Sequence, residues 1–223
     1  MLPVSRNTAL RSVQPNIKVK FFSEEDLLRM LEFVKSRELK DPKKANYHKR
    51  YGLLLKVLLR TGARIEEIVP YDRPSKVDRK DKHHPAEHYP GLRPVDVNLA
   101  INTIDILTLK KKKKPYRTLP LHPDLKEALM QYFLEHHIDP RSENPLFQVR
   151  RQSVDEYLDK IEGSVGFKVN AHKFRHTFAV KALLDGVPIN VLQKWLAHSS
   201  LAMTTVYADV LGMDTSDFMR NIR

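Results

Sequence analysis

Apolar positions recur at helical intervals over most of the chain. Ser23, with Asp26 three residues on, makes a capping-box-like start, and Leu27, Leu28, Leu31 and Val34 follow with helical spacing. Tyr51, Leu54, Leu55, Leu58 and Leu59 form an i, i+3, i+4, i+7, i+8 stripe that Thr61-Gly62 ends, and a short segment from Arg64 to Ile68 follows. Residues 70–94 break the pattern. Pro70, Pro74, Pro85, Pro90 and Pro94, mixed charge and three histidines read as an inserted loop, with 71–91 as its body. Residues 103–107 then alternate like a strand and residues 116–121 offer a second, with lysines 110–114 between them. That predicts a β-hairpin with a very basic turn. From Pro123 onward the chain reads helical almost to its end. Leu125, Ala128, Leu129, Tyr132 and Phe133 make one stripe, and Val154, Tyr157, Leu158 and Ile161 another. Residues 172–184 form a helix that stops near Gly186, Pro188 reads as an early helical residue before Val191, Leu192 and Leu196, and a last helix carries residues 203–211. The fold class is α+β, mostly helical, with a small antiparallel sheet packed against helices, and there is no internal repeat.

Composition narrows the partner without naming it. A chain of 223 residues suits one good-sized domain, or a domain plus an extension, and 41% hydrophobic residues suffice for a core. Lysine and arginine number 39 against 27 acidic residues, a net charge of +12. Such a surplus favours a polyanion, because neutralised phosphates release counterions. Residues 1–20 carry Arg6, Arg11, Lys18 and Lys20 ahead of the first acidic residue, Glu24, and read as a basic lead-in or linker to a domain over 21–223. The absence of cysteine excludes a disulfide framework, a thiolate nucleophile and Cys-ligated zinc. No apolar run approaches the roughly 18 residues of a membrane span, and the start lacks the apolar stretch of a secretory signal, so a cytoplasmic protein is expected.

The chemistry concentrates in four short segments. In His172-Lys173-Phe174-Arg175 the i, i+3 spacing sets imidazole and guanidinium side by side on one helix face. Arginine holds two phosphate oxygens with its rigid fork, and histidine donates to a third or exchanges a proton. His198 follows within LAHSS, and Tyr207 comes nine residues later. Upstream, Thr61-Gly62-Ala63-Arg64-Ile65-Glu66-Glu67-Ile68 supplies a second arginine just after a helix break. Together these segments resemble the catalytic domain of the tyrosine recombinase (phage integrase) family. TGARIEEI is similar to its first box, with Arg64 and the supporting Glu67. HKFRHTFAVKALLDG is similar to its second, with His172 and Arg175, and LAHSSLAMTTVYADV to its last, with His198 and the nucleophile Tyr207. Order and spacing agree across residues 53–211, and such boxes in order are far more specific than one HxxR.

The resemblance implies a site-specific DNA recombinase that cleaves and rejoins strands by transesterification, through a 3′-phosphotyrosine intermediate. Arg64 and Arg175 would face the charge growing on the phosphate oxygens, with His172 as proton acceptor or donor and His198 as a further donor. No cofactor, metal or ATP is called for. The family places a general-acid lysine in the hairpin turn, eight residues before the proline that closes the second strand. Counting from Pro120 gives Lys112, with Lys110, Lys111, Lys113 and Lys114 as alternatives if the turn length differs. These lysines and Arg117 are the expected DNA contacts. The expected partners are double-stranded DNA and further copies of the chain, a tetramer on two sites with a monomer as the alternative without DNA, and residues 210–223 are the candidate exchanged segment. Such activity belongs to mobile genetic elements and to dimer resolution alike. Family members usually carry an N-terminal helical DNA-binding domain, for which residues 1–20 are too short, so a catalytic fragment is expected.

Blander readings stand beside these. Glu67 is expected to buttress Arg64, Trp195 to be core, and His176 to be a structural histidine. His83, His84 and His88 lack cysteine partners or a helix to fix their spacing, so a hydrated loop is expected there rather than a metal site. Two other functions use the same residues: a DNA-binding module that no longer cleaves, and strand relaxation of the type IB topoisomerase kind. The first is disfavoured by six filled catalytic positions, and relaxation of supercoiled plasmid without recombinant product would reveal the second.

Overall fold

The computed structural model describes residues 20–77, 83–84, 86–109 and 116–210. Helix α1 (Glu24–Lys40) begins at Ser23, whose hydroxyl accepts from the Asp26 N–H while the Asp26 carboxylate accepts from the Ser23 N–H. That reciprocal pair satisfies two donors left open at a helix start. Helix α2 (Ala45–Thr61) buries Tyr51, Leu54, Leu55 and Leu58, the predicted stripe, and packs against α1. The one-turn helix α3 (Ile65–Ile68) follows, and α4 (Pro123–Glu135) opens with proline in its first turn, where no N–H is missed. Helix α5 (Arg151–Val165) lays Tyr157 on Tyr51, ring centroids 4.2 Å apart and nearly parallel, at the centre of the main core. Burial pushes both phenols' pKa up, that of Tyr51 to about 12, so they pack as neutral groups.

Helix α6 (Ala171–Leu184) is apolar on more than one side because it is buried on more than one side. Phe174 joins the main core, while Ala179, Val180 and Leu183 join a second, smaller cluster. That cluster is completed by Leu192 and Leu196 of α7 (Ile189–Leu196) and by Tyr207 of α8 (Ala202–Val210). The candidate nucleophile thus sits in a satellite core made by the last three helices.

The sheet is antiparallel, in the order β5 (Val97–Asn98), β6 (Thr103–Leu107), β7 (Tyr116–Pro120). Ile104 and Ile106 of β6 and Arg117 and Leu119 of β7 point inward, with Ile104 opposite Leu119 and Ile106 opposite Arg117. The predicted hairpin is therefore present; the two-residue strand β5 beside it was too short to leave a periodic signal.

Three expectations need correction. The inserted loop is a β-ribbon. Strands β1 (Tyr71–Arg73) and β4 (Glu87–Tyr89) pair antiparallel, as do β2 (Lys76–Val77) and β3 (His83–His84). Tyr71 faces Tyr89 and Lys76 faces His84, which is one register on both sides of Pro74. Proline has no N–H to give to a ladder, so the pairing is interrupted at Pro74 without the register being lost. His88 of this ribbon bonds Asp72 across the strands at 2.6 Å. The second correction is that residues 136–150 are not helical. The third is that Pro188 caps α7 from outside, with extended backbone, instead of lying in its first turn.

Gly91 closes the ribbon back onto α3 with φ +72°, and a Cβ there would lie 2.5 Å from the Ile68 carbonyl oxygen. Gly163, in α5, has open space around it. Gly91→Ala is expected to lose at least about 1 kcal/mol, since the left-handed backbone alone costs a side chain that much, whereas Gly163→Ala should gain about 0.5–1 kcal/mol. Urea denaturation midpoints of the two variants check both signs.

Candidate active site

Arg64 lies between α2 and α3, where the chain turns twice. Gly62 ends α2 with φ +60°, and a Cβ there would strike the Phe178 ring at 2.4 Å and Leu196 at 2.9 Å. Glycine is therefore required, and it brings the end of α2 against α6 and α7. Glu67, in the third position of α3, folds back so that its carboxylate accepts from the Arg64 N–H at 2.9 Å and from the Arg64 guanidinium at 3.1 Å. Its other partner is Arg117, which donates through Nη2 at 2.8 Å. Glu67 is 1% exposed. Burial pushes its pKa up, but Arg117 and Arg64 more than offset that and hold it below the usual carboxylate value.

Arg175, 3% exposed, is anchored by two backbone carbonyls. Nη1 donates to Gly62 and Nη2 to Leu196, both at 2.6 Å. One guanidinium thus joins α6 to the ends of α2 and α7. Burial, then the charges of Arg64 and Arg117, pull its pKa down to about 10, which still leaves it protonated at neutral pH. Three guanidinium groups (Arg64, Arg117, Arg175) crowd one buried carboxylate, Glu67. The surplus positive charge borders a cleft of about 600 Å³ lined by Arg64, His172 and Arg175, with Tyr71, Arg151 and Asn170 on its walls. Asn170 caps α6, accepting from the Lys173 N–H at 2.9 Å, and so fixes the helix start on which His172 stands. Arg151 pairs with Glu66 and with Asp155.

His198 follows Ala197, which ends α7 in a left-handed conformation with φ +51°. A non-glycine residue there costs roughly 1–2 kcal/mol, which the surrounding bonds hold in place. His198 Nδ1 lies 2.9 Å from the Thr204 hydroxyl, and burial followed by the nearby arginines drives its pKa to about 4, so it is neutral at pH 7. Its ring is parallel to that of Tyr207, centroids 6.3 Å apart. Tyr207 is 5% exposed and its hydroxyl lies 2.9 Å from His176 Nδ1. Burial raises the Tyr207 pKa, against the pull of Arg175 and Arg64.

The structure brings Arg64, Glu67, His172, Arg175, His198 and Tyr207 together around the meeting ends of α2, α6, α7 and α8. Lys110, Lys111, Lys112, Lys113 and Lys114 lie outside the described residues, as do residues 211–223. Arg117 does not sit on the outer face expected of a DNA contact. Strand alternation puts it on the inward side with Leu119, where it donates to Glu67, to the Trp195 carbonyl at 2.6 Å and to Thr108 at 3.2 Å. Period two along residues 116–120 carried that signal. Trp195 packs against the core, as expected, and serves the site only through its carbonyl. His176, expected as a structural histidine, has its hydrogen-bond partner in the Tyr207 hydroxyl.

A family model described as the phage integrase family matches residues 87–212. The tyrosine recombinase XerC of Thermodesulfovibrio yellowstonii is 30% identical over 134 residues, which covers 54% of this chain and 44% of that protein. The chain spans about half the length, or less, of the curated relatives it matches. Among solved structures, the XerA recombinase superposes with a TM-score of 0.61 at 23% identity, over 94% of this chain and 68% of that one. The catalytic domain of bacteriophage HP1 integrase superposes with a TM-score of 0.57 at 22% identity, over 92% of this chain and 95% of that one. The fold is thus the mostly helical α+β fold of tyrosine recombinase catalytic domains.

Because the Glu67 pKa is depressed, its contribution to stability is present above the ordinary carboxylate range and is lost as pH falls through the folded value. Unfolding midpoints measured from pH 6 down to pH 3 should fall less steeply for Glu67→Gln than for the native chain. At pH 7 the variant should be several kcal/mol less stable, typically about 3–5 for one buried partner removed.

Proposed function

The chain belongs to the phage integrase family, and on that premise we propose that it is the catalytic unit of a site-specific DNA recombinase, with Tyr207 as its nucleophile. The observation that carries this reading is the cluster of three guanidinium groups beside the cleft, Arg64 and Arg117 bonded to the one buried carboxylate and Arg175 held by backbone carbonyls, with a buried tyrosine at the adjoining helix ends. A cleft walled by excess fixed positive charge suits a phosphodiester, whose negative charge grows as a fifth oxygen approaches phosphorus. Residues 21–223 form the catalytic unit and residues 1–20 lead into it. Double-stranded DNA is the substrate, two sites are brought together by a tetramer, and the setting is cytoplasmic.

The Tyr207 oxygen attacks phosphorus as the bond to the 5′-oxygen breaks, leaving a 3′-phosphotyrosine and a free 5′-hydroxyl. Attack by a 5′-hydroxyl from a partner strand reverses the step, so the phosphodiester energy is conserved in the enzyme–DNA bond. Arg64 and Arg175 stabilise the equatorial oxygens, His172 and His198 donate to them, and Glu67 with Arg117 holds Arg64 in place. A lysine of the 110–114 run, Lys112 by the spacing from Pro120, protonates the leaving oxygen.

Incubation with a nicked suicide DNA substrate should give a denaturant-resistant protein–DNA adduct. Tyr207→Phe should give none, and Arg175→Ala, if it folds, should form it roughly 10²–10³-fold more slowly, the scale for a lost oxyanion donor. An adduct that survives in Tyr207→Phe would mean another nucleophile. DNA binding with no adduct from the native chain would leave only a binding module.

A further inference from the structure

We infer that His176 takes the proton of Tyr207 as the tyrosine attacks phosphorus, an inference that rests on Tyr207 being the nucleophile. The Tyr207 hydroxyl is 2.9 Å from His176 Nδ1, the two rings 5.6 Å apart and tilted by 53°. A proton already shared over that distance needs no rearrangement of the helix to move. With the imidazole proton on Nε2, Nδ1 is the acceptor and the phenol the donor. His172, one helical turn back on α6, presents its ring edge-on to His176 at 5.4 Å, so the two histidines stand in line on one face. This order separates their tasks. His172 lines the cleft beside Arg64 and Arg175, and His176 stands at the nucleophile.

The ionisation states agree with the geometry. Tyr207 needs a base, because burial holds it as a phenol at neutral pH. His176 is available as one: burial first, then His172 and Arg175, hold its pKa below the ordinary histidine value. The groups facing it are His172 and Arg175 on its own helix, Tyr207 from α8, and His198 from the turn leading into α8. The latter is itself neutral at pH 7. As the Oη–P bond forms and the P–O5′ bond breaks, the phenolic proton passes to Nδ1. The leaving oxygen is protonated separately, by the lysine proposed above. In rejoining, the His176 imidazolium returns its proton to the departing Tyr207 oxygen, so both directions of strand transfer use the same pair.

The test is the single-turnover rate of adduct formation on a nicked suicide substrate, measured from pH 5 to 9 with the full chain and its His176→Asn variant. Asparagine places an acceptor oxygen near the Nδ1 position but cannot take the proton. For the native chain the rate should fall at the acid end of that range, below the pH at which an ordinary histidine titrates, as His176 protonates. For His176→Asn it should drop about 10²–10⁴-fold at pH 7, the scale for a lost general base. It should then climb steadily with pH as the phenol ionises unaided, while DNA affinity is unchanged. A variant with the native rate and profile, one slowed equally at every pH with the acid limb intact, or one that reacts faster would overturn the inference. His176→Gln gives the same comparison if asparagine prevents folding. Absence of adduct from the native chain would instead remove Tyr207 as nucleophile, and this inference with it.

Discussion

The site depends on the buried carboxylate of Glu67. An arginine cluster without a counter-charge would not fold into a protein interior, since an unpaired buried charge costs several kcal/mol. Glu67 binds Arg64 twice and Arg117 once, and Arg117 in turn reaches the Trp195 carbonyl on α7. The carboxylate therefore ties α3 to the sheet and, through it, to α7. It neutralises one guanidinium and leaves the rest of the positive charge for a substrate. Had the site carried an equal number of carboxylates it would be more stable and less able to hold an anion.

Arg175 uses backbone in place of carboxylates. Two carbonyl oxygens satisfy its donors without cancelling its charge, and those oxygens belong to residues that end helices α2 and α7. Both ends are left-handed, one at Gly62 and one at Ala197. The terminal carbonyls of a helix lack partners within it, and here a buried arginine takes that place. Helix termination and charge placement are thus the same event, which is why the candidate arginines cluster where helices stop.

The helices were legible because their burial is one-sided and leaves a 3.6-residue stripe, as in Tyr51 to Leu59. The ribbon at 71–89 was not legible. Its described side chains are largely exposed, so no apolar alternation marks it, and Pro74 reads as loop punctuation although the register continues beyond it. The residues of the site were legible as types in order, but not in their division of labour. Arg117 was read by its charge, when its alternation with Leu119 showed that it points inward. His172 and His176 lie one turn apart on the same face, and only the approach angle of α8 decides which of them meets Tyr207. Such an angle is set by packing between distant segments, which local spacing does not encode.

The satellite core of α6, α7 and α8 bears on the order in which the candidate site can be assembled. Arg64 must wait for Leu196 to be made before α7 can close against Gly62, and Tyr207 arrives later still. A chain emerging from the ribosome can pack the centre of its main core around Tyr51 and Tyr157 while Tyr207 is still unsynthesised or unpacked. The candidate site is thereby completed only when the last described helix has packed.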